Sequence, residues 1–268
     1  MKIQTFVIVH DQDIILQSLK YKKYEQIDNL NFLFVGSKDV SKIENRSDVI
    51  VCRNLEYNVE KYKDFGPFSA WYSIFKNHLY DHDTDYIITL EYDCLLNDLF
   101  YEQLKNFLKY DKECKIIAFI PYAVSNPLFL GQNQFTTGLI SCLEEKYSLK
   151  VFDILHNIDP QKNISLCSNT VFGVKVFEAF MNWVMPLFEY VMELPLCGHF
   201  IERSLPVFYL IKNIDFEIML NAVQNLALDS TRSYSISKDR FFKLYDFSTG
   251  KKKHNFEQEI RFLNQKTK

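Results

Sequence analysis

Glycine is scarce, 7 residues in 268, too few and too scattered to write a Gly-rich phosphate loop or a dinucleotide fingerprint anywhere in the chain. P-loop ATPases and Rossmann dehydrogenases are thereby excluded. The six cysteines, Cys52, Cys94, Cys114, Cys142, Cys167 and Cys197, have no paired spacing, which excludes a zinc ribbon and a Cys-x-x-Cys redox pair and reads as a reduced, cytoplasmic chain. Positive charge is not in excess: 31 Lys and Arg stand against 34 Asp and Glu, a net charge of −3, so no nucleic acid is expected as a partner. No stretch reaches about 18 uncharged apolar residues. The run from Met1 to Val9 lacks a small-residue cleavage site, so neither a spanning helix nor an export signal is expected. The sequons Asn45-Arg46-Ser47 and Asn163-Ile164-Ser165 carry no weight in such a chain.

What the sequence does hold is 47% hydrophobic and 24% charged residues, a globular balance in a chain long enough for one large core. Short β-branched and aromatic runs closed by polar residues predict strands over 3–9, 32–35, 49–52, 86–90, 116–120 and 171–174. Between them, Ile14, Ile15 and Leu19 mark one helix face. Gly66-Pro67 opens a second helix with Phe68, Trp71, Tyr72 and Phe75 at helical spacing, running to about Leu79. Residues 99–108, the stripe Phe177, Phe180, Val184, Phe188 and Val191 with Pro186 inside it, and 199–211 complete the helices. The stretch 121–135, rich in Asn, Gln and Pro, reads as a loop. This alternation predicts an α/β fold, a mostly parallel sheet flanked by helices with a helical C-terminal part, whose ligands bind beyond the carboxyl ends of the strands. His10, Lys38, Arg53 and the triplet Glu91-Tyr92-Asp93 fall at those ends.

The triplet follows its apolar run directly. On a strand of period 2, Glu91 and Asp93 face the same way, so both carboxylates reach one hard cation, Mn or Mg. The same three residues are also an ordinary polar strand end, and spacing alone leaves the two readings equal. Further on, Glu202 lies one helical turn after His199 and is a candidate base. His199 alternatively caps a helix, and Arg203 either grips a diphosphate or pairs with a nearby acid. Trp71 and Tyr72 offer flat faces near the strand ends, whereas most other aromatic residues belong to the core. His82 and His156 sit in polar turns and read as solvated.

The succession of Gly66, a helix over 68–79 and Asp85-Tyr86-Ile87-Ile88-Thr89-Leu90-Glu91-Tyr92-Asp93 resembles the core of GT-A glycosyltransferases, where a helix precedes an apolar strand ending in Asp-x-Asp. Glu91 replaces the first Asp, which leaves Asp93 as the firmer metal residue. Ser69-Ala70-Trp71-Tyr72-Ser73-Ile74-Phe75-Lys76-Asn77, Ser168-Asn169-Thr170-Val171-Phe172 with Trp183 downstream, and Gly198-His199-Phe200-Ile201-Glu202-Arg203 are similar to segments of bacterial glycosyltransferases of capsule and lipopolysaccharide assembly. The likeness covers about residues 1–215 and is carried by order and spacing.

That resemblance implies metal-dependent transfer of a sugar from a nucleoside diphosphate sugar, a UDP-sugar favoured, to a glycan or lipid-linked glycan. It implies one GT-A-like catalytic domain over 1–250, with a donor half of about 1–120 and an acceptor half of about 121–215. Carried over, His10, Asp11 and Lys38 lie near the nucleoside, and Ser69, Trp71, Tyr72, Asn169 and Arg203 contact substrate. Glu91 and Asp93 hold the metal with His199 as third ligand, and Asp93 and Glu202 serve the chemistry.

The tail 251–268 carries six Lys or Arg and two Glu, a charge of +4 against −7 for residues 1–250. With Phe256, Ile260 and Leu263 on one helical face, it is either a strip that lies on an anionic membrane surface or a solvated terminal helix. Two rivals stand beside the transferase reading. A nucleotidyltransferase usually grips its triphosphate with a Gly-rich basic loop, which Val9-His10-Asp11-Gln12-Asp13 lacks. The other is a non-catalytic glycan- or protein-binding module.

Overall fold

The computed structural model describes residues 1–62, 65–110, 116–119, 122–123, 143–145, 163–165, 168–194, 197–214, 216–220, 222–225, 245–246 and 251–252, with the single positions 150, 157 and 159. The chain begins with β1 (Ile3–Val9), α1 (Gln12–Lys20), β2 (Leu30–Phe34), β3 (Val49–Val51), α2 (Phe68–Lys76) and β4 (Tyr86–Glu91). It continues through β5 (Cys94–Leu96), α3 (Phe100–Tyr110), β6 (Ile116–Ala118), β7 (Tyr122–Ala123) and β8 (Asn163–Ile164). Then come β9 (Thr170–Gly173), α4 (Val174–Val191), α5 (Cys197–Lys212), β10 (Phe216–Ile218), β11 (Val223–Asn225), β12 (Tyr245–Asp246) and β13 (Lys251–Lys252).

Among the described residues, seven strands form one sheet in the order β10-β6-β9-β4-β1-β2-β3. Six run the same way, and β9 runs antiparallel to both of its neighbours, β4 and β6. The expected mostly parallel sheet is therefore what the chain builds, with the reversed strand as the exception.

The two-residue period of β1 explains how this sheet is covered. Phe6 and Ile8 point into one core with Trp71, Phe172, Phe177 and Phe180, under α2, α4 and α5. Val7 and Val9 point into the other, with Ile14, Ile15 and Leu104 under α1 and α3. Trp71 is the centrepiece of the first core. It is 0% exposed, meets the rings of Phe68, Phe172 and Phe180 edge-on at 5.0, 5.3 and 5.9 Å, and its indole N–H donates to Thr89 Oγ1 at 3.3 Å. A buried aromatic whose polar atom is satisfied contributes its full apolar area, on the order of 2–3 kcal/mol.

Several boundaries differ from the expected ones. The strand expected over 116–120 ends at Ala118, and residue 120 lies outside the described residues. Within the expected loop 121–135, Tyr122 and Ala123 pair antiparallel with Asn163 and Ile164, and the remainder lies outside the described residues. Periodicity gave no sign of β5, which pairs with β11, because three-residue strands are too short to show an alternation. Among the described residues no helix is long and apolar enough to cross a membrane. Of the tail, only Lys251 and Lys252 are described, in a ladder with Tyr245 and Asp246; Phe256, Ile260, Leu263 and also His156 lie outside.

Candidate active site

A cleft of about 370 Å³ opens where β1, β2 and β4 end and α2 begins. His10, Lys38, Ser69 and Glu91, all singled out by the sequence, line it together with Glu60 and Tyr92. This is the carboxyl edge of the parallel strands, where a doubly wound sheet leaves a crevice.

The β2 side is a loop braced from two directions. Val35 N–H still donates to Val9 C=O at 2.9 Å, after which the chain turns at Gly36, whose φ of +88 is easy only for glycine. The Glu60 carboxylate accepts from Gly36 N–H, while Arg53 Nη1 donates to the carbonyls of Gly36 at 3.2 Å and Lys38 at 2.7 Å. Arg53 thus shapes the loop that presents Lys38. The Lys38 ammonium lies 3.2 Å from Asp11 Oδ2, and Asp11 also caps α1 by accepting from Asp13 N–H at 3.1 Å. His10 sits edge-on to Tyr92 at 4.9 Å, and burial, then the Lys38 charge, hold its pKa below the usual range, so it is neutral at pH 7.

The β4 side is packed with charge. Glu91 is the last residue of β4, opposite Ile8 of β1. Its N–H donates to Asn169 Oδ1 at 2.6 Å, and its carboxylate accepts from the Ser168 hydroxyl. Tyr92 and Asp93 form a turn into β5. The alternation expected to aim both acids the same way therefore stops at Glu91. Glu91 lines the cleft, whereas Asp93 is 1% exposed, and its Oδ1 has no hydrogen-bond partner among the described residues.

On α5, Arg203 Nη1 donates to Glu202 Oε2 at 3.0 Å and to the His199 carbonyl at 3.1 Å, and His199 Nδ1 lies 3.2 Å from the same Glu202 oxygen. Glu202 comes near enough that its charge acts on Glu91. Burial first, then the charges of Asp93 and Glu202, raise the Glu91 pKa above the usual carboxylate range. Burial likewise raises Asp93, opposed by the charge of Lys23. Lys23 itself is pushed down to about 7 by burial.

The structure turns three expected substrate contacts, Trp71, Asn169 and Arg203, into the interior. Trp71 is core. Tyr72 packs against Phe188, ring centroids 5.6 Å apart, and Asn169 is fully buried holding the Glu91 amide. Arg203 is buried beneath Glu202 and His199 as their brace. The expected trio of Glu91, Asp93 and His199 is not drawn together: among the described residues no three His, Cys, Asp or Glu side chains are grouped to hold a metal ion. Sequence reasoning missed Glu60, Ser168 and Lys23. Only Ser168 had a signal, as the neighbour of Asn169 in a quoted motif.

No family model matches the sequence, and no curated protein matches it significantly. Among solved structures, the chain is similar to WbbM, a bifunctional glycosyltransferase in its apo form, with a TM-score of 0.56 at 12% identity over 84% of this chain. The match spans 45% of the WbbM chain. Mouse xyloside xylosyltransferase 1 matches at a TM-score of 0.44 and 12% identity, covering 82% of this chain and 85% of that one. A 4-diphosphocytidyl-2C-methyl-D-erythritol synthase from Anaerococcus prevotii matches at a TM-score of 0.41 and 9% identity, covering 90% and 95%. The likeness to WbbM is one of fold, and it agrees with the GT-A-like sheet reached from the sequence.

Proposed function

We propose that this chain, built on a GT-A-like fold, is a glycosyltransferase that binds a nucleoside diphosphate sugar in the cleft and passes the sugar to a glycan hydroxyl with the help of Mn or Mg. The observation that carries this reading is the polarity of one nucleotide-sized cavity, with the Lys38 ammonium and a neutral His10 at the β1 and β2 ends and the Glu91 carboxylate at the end of β4. A nucleoside fits the first end, and a diphosphate with its cation fits between the two.

A divalent cation suits the acidic end. Asp93 carries a buried carboxylate oxygen with no hydrogen-bond partner among the described residues, and Glu91 is raised by the neighbouring acids. Burial first, and then the neighbouring acids, make negative charge costly at Glu91, which a bound cation would relieve. Glu91 would hold the ion from the cleft wall, with Asp93 adding its charge from beneath and the remaining positions filled by diphosphate and water oxygens. When bound, it supplies neutralisation of the charge that builds on the leaving diphosphate. Glu202, oriented by its bond from Arg203, takes the proton of the acceptor hydroxyl, and Lys38 pairs with phosphate oxygens. A UDP-sugar donor, a surface-polysaccharide or lipid-linked acceptor, and a cytoplasmic station at the membrane through the basic tail extend the same reading. The tail's charge of +4 supports the last of these.

Calorimetry tests the core of the proposal. UDP should bind the wild type more tightly with Mn than without it, and Glu91→Gln should abolish that difference while leaving metal-free UDP binding intact. A wild type that binds none of UDP, GDP, CDP or dTDP in Mn overturns the reading.

A further inference from the structure

Lys23 lies in neither the cleft wall nor the quoted motifs, yet it reaches the acidic turn from behind. Past the end of α1 the chain doubles back: Lys22 adopts a φ of 51, and Lys23 N–H donates to the Ser18 carbonyl at 2.9 Å. This sends the Lys23 side chain under the sheet edge, where its Nζ donates to the Tyr92 carbonyl at 2.6 Å. The Tyr92 N–H is taken on the other side by the Ile8 carbonyl at 3.1 Å. Tyr92 is thereby held at both of its backbone groups, by β1 and by Lys23, and its neighbours are the two acids.

The same ammonium is the cation whose charge acts on Asp93. The buried thiol of Cys94, which opens β5, lies within electrostatic reach of the same group. We propose that Lys23 is a positioning residue for the acidic site: bonded to the Tyr92 carbonyl and facing Asp93, it fixes the turn 91–93 so that Glu91 is presented to the cleft and Asp93 stays beneath it. A short hydrogen bond from a buried amine to a carbonyl is directional, which is what a two-residue turn between strands needs to hold one shape. The inference rests on the cleft being the nucleotide site, and it names the part that keeps the site in register.

The test uses the full chain with Lys23→Met, which keeps length but loses donor and charge, Lys23→Arg, which keeps both, and Lys20→Met as an exposed control. In the absence of ligand, amide hydrogen exchange over 91–96 should quicken about tenfold in Lys23→Met while β1, β2 and α2 keep their protection, and Lys23→Arg should restore most of it. Measured well below each variant's melting temperature, UDP binding in Mn should weaken about tenfold in Lys23→Met and stay within about threefold of wild type in Lys23→Arg. A purely structural lysine would lower the melting temperature without changing affinity at a temperature where every variant is folded. Unchanged exchange over 91–96 in Lys23→Met overturns the inference, as does a Lys23→Arg no better than Lys23→Met. If exchange responds but the wild type binds no nucleotide, the functional reading falls and the turn anchor stands. If the wild type binds and Lys23→Met binds equally well, the inference falls alone.

Discussion

The two ends of the cleft hold charge in opposite ways. At the β2 end the cation is out in water: the Lys38 side chain is 53% exposed, and its pairing with Asp11 is of the loose surface kind that stabilises little. At the β4 end, Glu91, Asp93 and Glu202 face Lys23 and Arg203 within the protein, where each charge is costly unless it is paired and hydrogen-bonded. The difference teaches which end adapts and which is fixed. An exposed ammonium is free to turn toward a ligand, while a buried network keeps one geometry and makes the fold depend on it.

The largest effect should come from breaking the buried side. Arg203→Met removes the partner of Glu202 and of the His199 carbonyl, and should cost about 3 kcal/mol in urea unfolding, at the low end for buried pairs because Glu202 keeps some contact with water. Lys38→Ala should change stability by less than about 0.5 kcal/mol. Equal losses would erase the distinction between the two ends.

Next is Glu91→Gln, read against pH. Because the folded state holds the Glu91 proton more firmly than the unfolded chain does, the folded form carries the extra proton from the ordinary carboxylate range upward. Stability must then fall as pH rises through that window. Glutamine has no such term and keeps the contact with Ser168. Without metal, the urea-unfolding free energy of Glu91→Gln should exceed that of wild type by a margin that widens from about pH 5 to about pH 8, reaching the order of 1 kcal/mol. A constant margin removes Glu91 as the strained group.

A smaller effect sharpens the exposed side. Gly36→Ala meets no atom within 4 Å of its new Cβ but must hold a φ of +88, so it should cost about 1 kcal/mol through backbone strain alone. Smallest in stability, Lys38→Ala should weaken UDP binding several-fold at low salt, with the loss shrinking as ionic strength rises, as calorimetry at two salt concentrations will show.

The sequence carried β1, β3 and β4 to within a residue at each end, while β2 runs Leu30–Phe34 against an expected 32–35. β1 matches its predicted span because a run of β-branched, aromatic and apolar positions is bounded by His10 and by Asp11, the N-cap of α1. The site was legible where it lies at strand ends, as with His10, Lys38 and Glu91. It misled where a local pattern was extended too far: period 2 carried past Glu91 placed Asp93 on the wrong side of a turn, and helical spacing could not tell whether Trp71 faced a ligand or the core. Lys23 was illegible because its partner, Tyr92, is 69 residues away and is a backbone carbonyl that any residue type supplies. The direction of β9 was hidden for a related reason, since burial patterns are the same for a strand run either way.

That reversed strand has a consequence for how the protein can change. Because β9 runs against β4, the beginning of β9 abuts the end of β4, and Ser168 and Asn169 arrive beside Glu91 as the first thing the returning chain does. The ladder from Thr89–Thr170 to Tyr86–Gly173 sets their position, whatever length of chain precedes them. Lengthening a connection costs only logarithmically in closure entropy. The length of the connection between β7 and β8 can therefore change while Ser168, Asn169 and Glu91 keep their places.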